Sequence, residues 1–512
     1  MKKLLQRLLI CYILIQPFME IIYFYQGKLA NIGPFTIPTL LRILLVGLML
    51  LAFLGVYKFS KESCQLVGYS VVVLLYLAAH IFLTRRALAG INDGFTYSLT
   101  QEVSYVLRVL FPVLVLFIST KVEFTKATLE KNVWWLGSAI SVTIVLSNLF
   151  VVAVASYEKD KMIKGNFFTW FDVINRESFM KLASDGFFFF ANTMSAIMIL
   201  LLPLMIYYFF NKTSWWKLVL LAIMSWSTVI IGTRTAVFGA IASLVVVPVV
   251  HFFYTLLTDK SHVLQQELPK IAATSVMLLL IGLIYPFSPS TGRVSANEQV
   301  NIATENRTRE STEQFKLLHK NMQENPSEAK QLANNYVETH FDVHNTYGNV
   351  ISKTNPIKEY PELWINVLSW PAADQVNFRK IEKANVDLLA SQINKPVRFL
   401  FGISYVRMNY FIFNYERDFL NQFYSLGLGG IVLFVLPFVV AVIWLGLKFL
   451  FRREDRTLEN FTYLFGFALF FGAAFLTGNV IDSITAGSIV AFLIGQKLRG
   501  EKKLQNSLLQ SI

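Results

Sequence analysis

Long apolar runs recur along nearly the whole chain and constrain its fold more than any other feature. A helix that crosses a bilayer needs roughly 20 mainly apolar residues, and about twelve segments meet that length. They centre near residues 5–25, 38–57, 65–83, 102–120, 133–155, 186–209, 215–231, 235–257, 271–287, 423–447, 461–479 and 482–496. Backbone amides find no water to pair with in hydrocarbon, so these runs are helices rather than open sheets. The composition agrees: 54% of residues are hydrophobic and 15% charged, where soluble domains carry roughly a quarter charged. The expected fold is all-α, a polytopic membrane helix bundle of about twelve transmembrane helices with one large, mostly helical extracytoplasmic loop.

The spacing of the runs divides the chain into residues 1–287, residues 288–422 as the large loop, and residues 423–512 with the last runs and a basic tail. The start, MKKLLQRLLICYILIQPFMEIIYFY, is similar to a signal peptide but has no small-residue cleavage site, so an uncleaved first membrane helix is expected. The net charge of +13 would suit nucleic acid if it formed one surface. It is instead scattered through short connections: MKKLLQR, YKFSK, TKATLEK, NKTSWWK, TDKSHVLQQELPK, KFLFRREDR and QKLRGEKK. Such segments are orientation signals of a multi-pass protein of the plasma membrane. Their scatter decides against nucleic acid as a partner, and placing them in the cytoplasm puts both termini there. Arg85 and Arg86 in TRRALAG are left on the outer side. Cys11 and Cys64 make no disulfide framework, and no metal-ligand spacing occurs, so neither metal nor other cofactor is expected.

In this topology the stretch IIGTRTAVFGA (230–240) turns at the outer face. Charge at a membrane boundary snorkels, pairs or works. Arg234 reads either as a snorkelling side chain or as a phosphate grip, because its planar fork makes bidentate bonds to phosphate oxygens. Thr233 and Thr235 would add hydroxyls. A second constellation lies where the loop returns to the membrane: FGISYVRMNYFIFNYERDFLNQFYSLGLGGIVLFVLPF. Glu416 and Asp418 flank Arg417 just before an apolar helix. They read as a surface ion pair, or as a general base with Arg417 or Arg407 holding an anionic substrate.

Taken together, GTRTA between two helices, a large outer loop, and the return with Glu416-x-Asp418 and Gly427-x-x-Gly430 resemble the O-antigen ligase and polymerase superfamily, in a Gram-positive-like branch. The resemblance is specific over about residues 225–250 and 398–435. It implies a metal-independent, inverting glycosyltransferase acting at the outer face in cell-surface polysaccharide assembly. The donor would be a polyprenyl-diphosphate-linked (undecaprenyl-type) glycan held in membrane lipid, and the acceptor a glycan or other hydroxyl. It also implies that Arg234 binds the donor diphosphate. The family often carries His-Asn in the return motif as the base; here that place reads Glu416-Arg417-Asp418. A rival His344-Asn345 lies in FDVHNTYGNV and also reads as a loop cap. Arg293 is a second candidate phosphate contact, whereas Arg307 and Arg309 suit a solvated face.

Within the runs, Glu20, Arg42 and Arg108 are candidate functional charges, and Glu20 with Arg42 reads equally as a bundle-internal pair. His80 and His251 read as structural, and Asp482 as the cap of the last helix. The alternative function is a lipid-linked oligosaccharide flippase or other polysaccharide-export transporter. Such proteins are generally built from repeats and broken helices, and no repeat is visible here. A non-catalytic subunit of an envelope-polymer machine is a third reading.

Overall fold

The computed structural model describes residues 1–25, 31–32, 35–89, 97–157, 161–171, 179–258, 263–292, 378–405 and 417–510, with isolated positions between 320 and 374. In chain order these form α1 (Lys2–Tyr25), α2 (Ile37–Tyr57), α3 (Lys61–Leu88), α4 (Leu99–Ser119), α5 (Lys126–Leu149), α6 (Ala191–Asn211), α7 (Trp215–Ile230), α8 (Arg234–Thr258) and α9 (Val263–Ile284). After these come α10 (Phe378–Ser391), α11 (Lys395–Phe401), α12 (Asp418–Gly430), a π-helical turn (Ile431–Val435), α13 (Leu436–Phe451), α14 (Leu458–Leu476) and α15 (Ile484–Gln510). A ribbon pairing Asn31–Ile32 with Phe35–Thr36 links α1 to α2. The chain is an all-α helix bundle, and 10 of the described helices are long and apolar enough to cross a membrane. The run at 215–231 forms a shorter helix of 16 residues, and the last run is the first half of α15. Threonines start three helices: Thr36, Thr125 and Thr457 each accept the N–H three residues on, from Thr39, Thr128 and Asn460. This satisfies a donor that the first turn would otherwise leave open. At the start of the last helix the Ser483 hydroxyl accepts from Ala486 N–H at 3.5 Å, beside the buried Asp482.

Contacts divide the chain into two compact units. The first comprises residues 1–71, 106–293 and 434–512; the second comprises residues 72–105 and 294–433. At the centre of the first unit lies α6, 94% buried over its apolar window. Neighbouring helices reach it through small residues. A Cβ on Gly137, Gly239 or Gly466 would come within 2.5 Å of Met205 Sδ, 2.5 Å of Ile199 Cγ2 or 2.8 Å of the Leu200 carbonyl oxygen. Small residues let helix backbones approach closely where no water-driven force brings helices together. Arg42 of α2 is buried against α1 and α15: it donates to Gln16 at 3.0 Å, Glu20 at 3.1 Å and Thr485 at 2.8 Å. Of the two readings of Glu20 and Arg42, the bundle-internal pair is present, with a hydroxyl from the far end of the chain added. Further helix ends are tied by Lys217–Glu130 (2.7 Å), Lys126–Glu459 (2.9 Å) and Lys497–Glu459 (3.0 Å). The second unit gathers the later part of α3, residues 99–105 of α4, and α10, α11 and α12.

Candidate functional site

The GTRTA turn belongs to the first unit. Where α7 ends, three carbonyls lose their helical partners, and the segment after α5 supplies new ones. Ser184 N–H donates to the Ile230 carbonyl at 3.0 Å, the Ser156 hydroxyl to Ile231 at 2.9 Å, and the Tyr157 hydroxyl to Gly232 at 2.7 Å. Gly232 takes φ +74, and a Cβ there would lie 2.6 Å from that of Ala183. Only glycine meets both demands. Thr233 caps α8: its buried hydroxyl accepts from Ala236 N–H at 3.3 Å and pairs with the Ser195 hydroxyl at 2.6 Å. Thr235 follows, half-buried.

Arg234 is the first residue of α8 and is exposed. Among the described residues its guanidinium has no hydrogen-bond or ion-pair partner. A cation at this end of a helix is opposed by the helix dipole. An anion there would meet the guanidinium together with the open N–H groups of the first turn. The turn therefore spends its carbonyls on its support and leaves its donors outward.

The return segment belongs to the second unit. Arg417 is the exposed N-cap of α12, its carbonyl accepting from Asn421 N–H at 2.7 Å. Asp418 opens the helix and is fully buried, and Asn421, Gln422 and Ser425 are buried on the same helical face. Gly427, with φ 65 and ψ −169, breaks α12. The carbonyls this frees are met by Ile403 N–H, which donates to Tyr424 at 2.7 Å, and by the Tyr76 hydroxyl, which donates to Leu426. Gly402, at φ +78, lies opposite, and a Cβ on Gly427 would sit 2.5 Å from the Gly402 nitrogen. FGISY and GLGG are two sides of one backbone-to-backbone contact.

Glu416, Arg407, Arg293 and His344 lie outside the described residues, as do His340, Arg307 and Arg309. Among the described residues no group of three or more His, Cys, Asp or Glu side chains could hold a metal ion. Arg85 and Arg86 occupy the last turn of α3, where the helix dipole favours cations. Burial, reinforced by the Glu102 charge, pushes the Tyr97 phenol up to about 12 against the opposing effect of Arg85.

Sequence reading did not join His80 to Glu102, whose ring nitrogen and carboxylate lie 2.6 Å apart and fully buried. The available signal was His80 in one apolar run and Glu102 at the start of the next.

A family model described as O-antigen ligase like membrane protein matches residues 2–499. No curated protein and no solved structure matches.

Proposed function

From the premise that this chain belongs to the O-antigen ligase like membrane protein family, which places it among membrane enzymes of cell-surface glycan assembly, we propose a specific transfer reaction. An oligosaccharide leaves a polyprenyl diphosphate and joins an acceptor hydroxyl at the outer face of the plasma membrane, by an inverting, metal-independent route. The acceptor oxygen attacks the anomeric carbon, the bond from that carbon to the phosphate oxygen breaks, and the electron pair leaves with the lipid diphosphate. The acceptor's proton passes to a carboxylate. Asp418 is buried, so Glu416 is given the base role and Asp418 that of orienting the helix start. Arg234 neutralises charge building on the departing diphosphate. Arg293, Arg407, Arg417 and His344 are further substrate contacts in this proposal, and apolar helices hold the lipid tail. The orientation rests on the basic connections lying inside.

The observation that carries the reading is Arg234: an exposed arginine without a described partner, at the positive end of a helix, on a turn whose carbonyls are already bound. That arrangement suits an anion and leaves a snorkelling cation at an electrostatic disadvantage.

The test is the size profile of lipid-linked and surface glycans in cells lacking the protein, complemented with wild type or Arg234→Ala. Single repeat units accumulating on the lipid, with long chains lost, indicate a polymerase. Long chains that form but stay on the carrier indicate a ligase. A wild-type profile restored in full by Arg234→Ala at normal expression overturns the reading.

A further inference from the structure

One polar cluster of the second unit is unused by the reaction above. Glu102 in the first turn of α4, His80 on α3 and Ser404 of the FGISY turn are all fully buried. Oε2 of Glu102 accepts from the Ser404 hydroxyl and, at 2.9 Å, from Tyr405 N–H. Oε1 meets Nε2 of His80 at 2.6 Å. The other ring nitrogen, Nδ1, lies 2.6 Å from the Phe401 carbonyl oxygen. A carbonyl only accepts, so Nδ1 carries a proton. One further proton is then held between Nε2 and Oε1, and the pair is charge-balanced with the proton on either side. This is how two ionisable groups remain together away from water.

The pair grips residues 401–405 at three points: the Phe401 carbonyl, the Ser404 hydroxyl and the Tyr405 N–H. Ser404 has φ 76, a left-handed conformation rare outside glycine. Strain of this kind persists only where the surroundings over-determine it, and Glu102 supplies that constraint. The same five residues attach to α12. Ile403 N–H binds the Tyr424 carbonyl, and Gly402 packs on the Gly427 backbone. The Tyr405 ring stacks on Tyr105 at 4.2 Å, and Asn421, in the first turns of α12, donates to the Tyr105 hydroxyl at 3.3 Å. Packing alone would be served by apolar side chains of similar volume, without the desolvation cost. The pair instead provides a donor and acceptors in fixed directions.

We propose that His80 and Glu102 are positioning residues: the buried pair fixes the 401–405 turn and, through it, the start of α12 that presents Arg417 to substrate. This rests on the transfer reading above. Two separate readouts test it. With Cys11 and Cys64 replaced by Ser, a nitroxide is attached to Arg417→Cys and its EPR line shape recorded alone, with Glu102→Gln and with His80→Gln. Transfer kinetics are measured on the unlabelled single variants with Arg417 intact.

The label is expected to be immobilised in the parent and mobile in both variants. The kcat is expected to fall about 10²-fold, the scale of a misplacement near 1 Å, with KM for the lipid-linked donor unchanged. Ser404→Gly keeps the left-handed backbone and removes one bond. It is the milder variant should a Gln variant fail to fold, and a loss of roughly 10-fold is expected for one hydrogen bond. An unchanged line shape overturns the proposal, as does a mobile label with unchanged kcat, or a KM rise alone. Failure of the transfer reading itself would show differently: wild type and Arg234→Ala would be equally inactive, while the line shape would still report whether the pair holds α12.

Discussion

At the scale of single residues, two arginines behave in opposite ways. Arg42 is sealed among Gln16, Glu20 and Thr485, so its charge is matched and its role is cohesion. Removing one partner leaves a buried charge alone, and Arg42→Ala is expected to destabilise the protein by about 3–5 kcal/mol. A melting curve in detergent checks this, and replacing Arg42 and Glu20 together by Leu should recover most of the loss. Arg234 has no described partner to lose. Arg234→Ala should keep the melting temperature and lower transfer about 10²–10³-fold, the scale of one lost electrostatic donor. Arg234→Lys should stay well below wild type, because an ammonium cannot reproduce the guanidinium fork. Activity measured on purified protein with lipid-linked glycan decides; full activity of the Lys variant would show that only charge is needed. Both arginines were visible in the sequence as cations among apolar residues. Their difference was not, because it depends on which side chains the fold brings from elsewhere, including Thr485 from 443 positions away.

At the scale of elements, glycine marks where helices touch and where one breaks. Gly466→Ala would push a methyl group to 2.8 Å from the Leu200 carbonyl oxygen, and overpacking of this kind costs about 1–3 kcal/mol. Gly47→Ala meets nothing within 4 Å and is expected to be neutral or slightly stabilising through helix propensity. Thermal melts of the two variants compare close packing with an open helix face directly. Gly427→Ala carries a double penalty, a positive φ and a contact with the Gly402 nitrogen. It should displace the FGISY turn and abolish transfer even where the helices still assemble, a combination read by activity against yield. The GLGG string was legible as a small-residue helix entrance. That it kinks α12, and that Gly402 is its counterpart, was not legible, since the two glycines are joined by a backbone contact rather than by any periodic pattern.

At the scale of the whole molecule, the expected orientation has a direct test. Cys64 is exposed near the start of α3, beside the basic YKFSK connection. Phe168 is exposed in the segment that braces the GTRTA turn. A membrane-impermeant maleimide applied to intact cells should label Phe168→Cys when Cys11 and Cys64 are both Ser, and should spare Cys64 in a chain with only Cys11 replaced; the reverse pattern would invert the topology. The sequence by itself determined that the chain is a bundle of membrane helices and to which family it belongs. Length and apolarity suffice for the first, because hydrocarbon leaves the backbone no alternative to the helix. Tertiary structure alone decided which helix is central. α3 and α6 are both long and apolar, yet 17% of one window is buried and 94% of the other. Lipid and protein interior are equally apolar solvents, so hydropathy cannot tell a lipid-facing helix from a core one. Likewise, the partners of His80, Glu102 and Ser404 are set by close packing of segments far apart in the chain, and no local rule encodes that meeting.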